Sequence, residues 1–190
     1  MRALYQAIQN TDNPDKIEQD GPIFCGNASA WLGPGYYFWD SFIELAHIWG
    51  KVHYGGDYMI CEAFSDFNTD EILDLINNPD QIRDFWESYR LLKGNPRLLS
   101  PGESLTVGSV IESLKKTNAF PYKAIRANGN NSFNSYQNLV IRVRFTYNLP
   151  AFMELPPAWQ VCVIDKTFLH KGSYHVIFPE EYAGPLPLAL

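Results

Sequence analysis

The chain is short of most features that would name a chemistry outright. Its three cysteines, Cys25, Cys61 and Cys162, are an odd number with no close pair. That spacing offers neither a disulfide framework nor a metal-type cysteine pair, and it suits a reducing compartment. The four histidines, His47, His53, His170 and His175, make no His-x-x-x-His motif and no His/Cys cluster, so no metal is expected. Gly-x-Ser-x-Gly elbows, phosphate-binding glycine loops and Cys-His signatures are missing as well, which leaves the common hydrolase and nucleoside-triphosphatase readings unsupported. No apolar run approaches the roughly 18 residues that cross a bilayer. The first residues lack the basic, apolar and small-residue order of a cleaved signal. The expectation is a cytoplasmic protein with no membrane partner, and export by a route without a cleaved signal would look the same.

Positive charge is scarce too. Fifteen Lys and Arg face twenty-one Asp and Glu, for a net charge of −6 and a pI near 5.1. A general electrostatic nucleic-acid binder needs a basic face to displace counterions, so that class is not expected. Arg142 and Arg144, two apart on one expected strand, read as solvated residues of an outer face.

What is present is core-forming material. At 190 residues, with 46% hydrophobic and 15% aromatic content, the chain is expected to form one domain over 1–190 that needs no metal or disulfide. Cys61 and Cys162 lie in apolar runs and read as buried. A strand is expected at Ala3–Ile8, then a loop rich in Asn, Asp, Gly and Pro from Gln9 to Gly35. Tyr36–Trp39 is a second strand. A helix follows, capped by Asp40 or Ser41 and stopped by Gly50. Tyr58–Phe64 is a third strand.

The middle is expected to be helical. A short helix runs from a cap at Asn68 or Thr69 to about Ile76. Asn78 with Pro79 starts a second, to about Leu92, with Ile82, Phe85, Trp86 and Tyr89 as its apolar stripe. A third covers roughly Val107 to Lys116. Strands at Tyr122–Ala127, Leu139–Tyr147 (Leu139, Ile141, Val143 and Phe145 inward), Gln160–Ile164 and His175–Phe178 complete an α+β order without a regular βαβ alternation.

Gly33-Pro34-Gly35-Tyr36-Tyr37-Phe38-Trp39-Asp40-Ser41, followed by a helix carrying Ala46, resembles the Gly-x-Gly-x-Tyr-Phe segment of ADP-ribosyltransferases, on the branch that includes the poly(ADP-ribose) polymerases. Leu4-Tyr5-Gln6 resembles that family's opening strand, where a Tyr-His or Tyr-Arg dipeptide holds NAD. Gln160-Val161-Cys162-Val163 resembles its late, glutamate-bearing strand. The helical middle and the Tyr122–Ile125 strand are similar to small uncharacterised bacterial relatives of that fold. The resemblance implies a split β-sheet core with a helical middle segment, and NAD as substrate without a metal.

It also implies a site. Tyr37 would stack on nicotinamide, and Gln6 would hydrogen-bond a ribose or phosphate. Tyr5, Gly35 and Ser41 would complete the NAD contacts. Gln160 would stand where a glutamate opposes the positive charge of the oxocarbenium-like state. Gln6 replaces the family's His or Arg and Gln160 its Glu, while Glu154 and Asp165 are the nearest carboxylates in sequence. Three readings follow: a mono-ADP-ribosyltransferase acting on an unknown protein or nucleic-acid acceptor; a catalytically inactive domain holding NAD, ADP-ribose or a protein partner; or a structural domain with no nucleotide.

Overall fold

In the computed structural model the described residues are 1–27, 30–99, 102–116, 120–129 and 141–183. The architecture is mixed α+β, built on a seven-stranded sheet and a separate two-stranded ribbon. In chain order the strands are β1 (Arg2–Gln9), β2 (Tyr36–Asp40), β3 (Tyr58–Ser65), β4 (Ile72–Asp74), β5 (Ala124–Asn128), β6 (Ile141–Arg144), β7 (Phe152–Leu155), β8 (Trp159–Val163) and β9 (His175–Phe178). The helices are α1 (Pro14–Asp20), α2 (Ile43–His53), α3 (Pro79–Gly94) and α4 (Val107–Lys116). The large sheet runs β4-β5-β8-β2-β1-β3-β9, and β6-β7 is the ribbon. Among the described strands only β4 and β5 pair in parallel. No helix among the described residues is long and apolar enough to cross a membrane.

Strand alternation divides the core by face. Leu4, Ile8, Phe38, Met59, Cys61, Val161 and Val163 point to one side, where Ile17 of α1 and Phe168 cover them. On the other side two clusters lie side by side. Trp39 and Ile60 pack beneath Leu45, Ala46 and Ile48 of α2, and Cys162 and Ile125 pack beneath Ile111 of α4 with Tyr37 at the margin.

The middle of the sheet is split. β1 pairs with β3 over its whole length, from Arg2↔Ser65 to Gln9↔Tyr58. With β2 it pairs only at Leu4↔Asp40 and Tyr5↔Trp39. Beyond Tyr5 the two central strands part.

A buried ion cluster ties this split sheet across its width. Arg126 of β5, fully buried, lies level with Val161 of β8 and, one strand further, Phe38 of β2. Its side chain passes over β8 so that Nε donates to Asp40 Oδ2 at 2.7 Å, while Nη1 donates to Asp74 Oδ2 at 3.1 Å. Arg2 of β1 adds a donor to Asp40 Oδ2 at 3.1 Å. The guanidinium is 4.7 Å from the ring of Trp159 and 5.8 Å from that of Phe67.

Several elements differ from expectation. The residues expected as a short helix near 69–76 form β4. Buried Ile72 and Leu73 pair with Ala124 and Ile125, so tertiary pairing overrides local preference, and Asp74 instead closes the turn onto the Ile76 and Asn77 amides. The expected loop before Gly35 contains α1. Asn13 accepts from the Lys16 amide and Pro14 sits in the first turn, the same signal as at Asn78 and Pro79.

Helix α2 takes Phe42 as its N-cap residue without a side-chain cap, since Asp40 is engaged by arginines. It runs through Gly50, where a Cβ would collide with the Tyr58 ring. Gly50 is therefore a packing glycine rather than a stop. Of the α3 stripe, Trp86 is 58% exposed and Ile82 38%. In β6 Ile141 and Val143 are exposed, as is Phe145 beyond it, whereas Leu139 lies outside the described residues. Cys61 and Cys162 are buried as expected.

Removing one partner of a fully buried pair leaves an uncompensated charge, at a cost of about 3–5 kcal/mol. Arg126→Met strands Asp40, which Arg2 reaches only from the partly exposed side. A urea denaturation curve for this variant is expected to shift by that amount. A midpoint equal to wild type would show that the cluster does not hold the sheet.

Candidate functional site

A cavity of about 370 Å³ lies at the split, between the α2 and α4 clusters. Its wall is aromatic: Phe24 and Trp31 come from the loop before β2, Tyr37, Phe38 and Trp39 from β2, and Trp49 and Tyr54 from the end of α2. Among the described residues the polar lining is Gln6, Cys25, Asn27 and Gln160, and no Asp, Glu, Lys, Arg or His lines the cavity. This size and make-up are those of a small-molecule site, apolar with a few polar groups that orient the occupant.

Tyr37 lines the cavity while its hydroxyl is held by the loop. That hydroxyl donates to the Gly33 carbonyl at 2.7 Å and accepts from the Leu32 amide at 3.0 Å. Burial, and after it the neighbouring Cys162, raise its pKa above the ordinary phenol value, so it stays protonated. The ring face is what remains for a ligand.

Gln160 lies opposite Trp39 in the β2–β8 register, on the Tyr37 side of the sheet. It is 6% exposed and lines the cavity, and its Oε1 is buried without a hydrogen-bond partner. An unpaired buried acceptor costs stability.

Gln6 also lines the cavity, but its amide is committed. Nε2 donates to the carbonyls of Ile23 at 3.0 Å and Tyr37 at 3.3 Å. Oε1 accepts from the Ile23 amide at 2.9 Å and the Tyr174 hydroxyl at 2.9 Å. That accounts for both donors and both acceptor positions. The expected bond to a ribose or phosphate therefore has no free position, and the amide instead straps the Ile23 segment across the gap between β1 and β2.

The remaining candidates lie elsewhere. Tyr5 is on the Trp39 side of the sheet but packs into the α2 cluster instead of lining the cavity, its phenol pushed up to about 12 by burial and then by Glu62. Gly35 faces β8, where a Cβ would stand 2.8 Å from the Val163 carbonyl and collide with the Cys162 sulfur. Its missing side chain thus serves strand packing. Ser41, at φ 66°, makes the turn into α2 and donates to Asp40 Oδ1 at 2.7 Å. The structure brings Gln6, Tyr37 and Gln160 together and leaves Tyr5, Gly35 and Ser41 outside the cavity wall.

Neither nearby carboxylate replaces the glutamate. Glu154 lies on the ribbon strand β7, 2.8 Å from Arg142 Nη2. Asp165 caps a short turn through the Thr167 amide at 2.9 Å, a bond that lowers its pKa. The residues missed by sequence reasoning are Phe24, Cys25, Trp31, Trp49 and Tyr54. Trp49 falls within the helix expected before Gly50, and the others come from segments that read as loop.

Comparison of the chain with protein-family models, with curated proteins and with solved structures finds no match. The reading of the site rests on its own geometry.

Burial pushes the thiols of Cys61 and Cys162 up to about 12 from 9.0, so both stay neutral and unreactive at pH 8. Half-buried Cys25 stands on the cavity wall. Iodoacetamide at that pH is expected to label Cys25 alone in the native protein, as read by intact mass, and labelling of Cys162 would contradict its burial. Unfolded thiols ionise first as the pH rises above 9.0, while the folded chain still holds its protons toward about 12. Stability is therefore expected to be retained below that window and lost through it.

Proposed function

We propose that this chain is an ADP-ribosyltransferase-like domain that holds the nicotinamide end of NAD in the split-sheet cavity without cleaving it. The observation that carries the reading is the convergence of three distant segments. Gln6, Tyr37 and Gln160, singled out by resemblance in three separate strands, line one cavity. The fit is chemical as well. A cationic pyridinium ring is attracted to the faces of Trp and Tyr, and a carboxamide NH₂ supplies the donor that Gln160 Oε1 lacks. The volume of about 370 Å³ suits a nucleoside-sized group, so the remainder of NAD would extend out of the cavity.

The same lining favours binding over transfer. Breaking the nicotinamide bond builds positive charge on the ribose, and no carboxylate among the described residues lines the cavity to oppose it. One missing electrostatic contact of that kind costs about 3–4 kcal/mol of barrier, a hundred- to a thousandfold in rate. The second reading, transfer of ADP-ribose to a macromolecular acceptor, draws on the same Tyr37 and Gln160 pairing but requires an anion from outside the cavity.

Calorimetric titration with NAD, with nicotinamide release followed in the same sample, separates the readings. Binding without release is expected. Tyr37→Leu should weaken binding at least tenfold, about 1.4 kcal/mol, while Tyr37→Phe, which keeps the ring but releases Leu32 and Gly33, should weaken it less. Gln160→Glu is expected to raise nicotinamide release above the wild-type level. Sustained release by the wild-type protein would select the transferase, and no binding by any nicotinamide compound would remove both readings.

A further inference from the structure

The cavity at the split is set apart by what its wall lacks. None of the described residues lining it is Asp, Glu, Lys, Arg or His. The stretches outside the described residues, 28–29, 100–101, 117–119, 130–140 and 184–190, contain no residue of those five types. Every charged side chain of the protein is therefore among the described residues, and none of them lines this cavity. Three of the five tryptophans do, Trp31, Trp39 and Trp49, together with Tyr37 and Tyr54. The indoles of Trp39 and Trp49 are tilted by 57° with centroids 6.1 Å apart, so they do not stack face to face. Burial raises the pKa of both phenols, so neither supplies an anion.

Such a wall discriminates by the type of charge a ligand carries. An anion finds no cation in the lining and must approach a chain of net charge −6. A primary ammonium is strongly hydrated, and its three N–H donors would meet no carboxylate there. A fully alkylated nitrogen carries no N–H donor, so it leaves none unsatisfied when it is buried. Its charge is attracted to aromatic faces, and to indole more than to any other ring. A neutral compound of the same shape gains the burial without that attraction. The volume of about 370 Å³ is that of a small-molecule site.

We propose that this cavity is an aromatic cage for a small quaternary ammonium compound. The inference rests on the cavity assigned above to nicotinamide and widens its ligand class, since the pyridinium of NAD is one alkylated, permanently charged nitrogen among several kinds. Recognition then lies in the cation, and the phosphates and adenosine of a dinucleotide are dispensable.

Calorimetric titration of the full chain with choline and with 3,3-dimethylbutan-1-ol tests the proposal, because the two share a shape and differ in charge. At about 0.15 M salt, which screens the acidic surface, choline is expected to bind at least tenfold tighter than the alcohol. Trp31→Leu/Trp49→Leu should abolish that preference, with near-UV circular dichroism reporting whether the variant folds. Trp86→Leu, on the exposed face of α3, should leave it intact. Equal binding of the two compounds by wild type, or no binding of choline up to roughly 10 mM, would overturn the proposal whatever the variants do. So would a preference that survives in the folded double variant. Titration with NAD separates this inference from the reading it rests on. A preference for choline without NAD binding would keep the cage and remove nicotinamide as its occupant, and NAD binding without that preference would do the reverse.

Discussion

The contact between Arg126 and Asp40 is the constraint on which the rest of the structure depends. The two residues are eighty-six positions apart in sequence and fully buried. Desolvating each charge costs several kcal/mol, and the pair is tolerable only because Asp74, Arg2 and Ser41 supply further bonds. The guanidinium spans β8 and fixes β5 relative to β2. One unfavourable group remains, since Arg126 Nη2 is buried without a hydrogen-bond partner, with the rings of Trp159 and Phe67 as its neighbours. Such a cluster stabilises little by itself, but it admits only one arrangement of the strands it joins.

Anchoring that end of β2 lets the other end separate from β1. The strands pair at Leu4↔Asp40 and Tyr5↔Trp39, next to the ion cluster, and diverge toward Tyr37. An open sheet would leave backbone groups unpaired in the gap. Gln6 meets that need, because its amide bonds the Ile23 backbone and the Tyr37 carbonyl while Tyr174 holds it from the far side. The Tyr37 hydroxyl likewise fixes Leu32 and Gly33. Both polar groups are spent on the loop that walls the cavity, so its described wall is mainly aromatic, with the side chain of Gln160 beside it. A site arranged in this way is suited to holding a flat ring and poorly suited to stabilising positive charge on a sugar.

The ribbon follows a different logic. Its polar face is neutralised locally by Arg142 and Glu154, and its apolar face is of a kind a monomer normally covers.

Local pattern determined a good part of this fold. Short apolar and aromatic runs located six of the seven strands of the large sheet, and β4, expected as a helix, was the exception. The Asn78-Pro79 cap located α3, and the apolar runs around Cys61 and Cys162 marked buried strands. The resemblance drew attention to Gln6, Tyr37 and Gln160, which meet at the cavity. Only the tertiary structure decided how each is used. A glutamine reads the same in sequence whether its amide faces a ligand or the Ile23 backbone, and Asp40 reads as a helix cap until an arginine from β5 claims it. Burial of the alternating residues in β6 was equally undecidable, since period two identifies a face but not whether anything covers it. Propensity and periodicity act over a few residues, whereas hydrogen-bond partners and burial are set by segments tens of residues away.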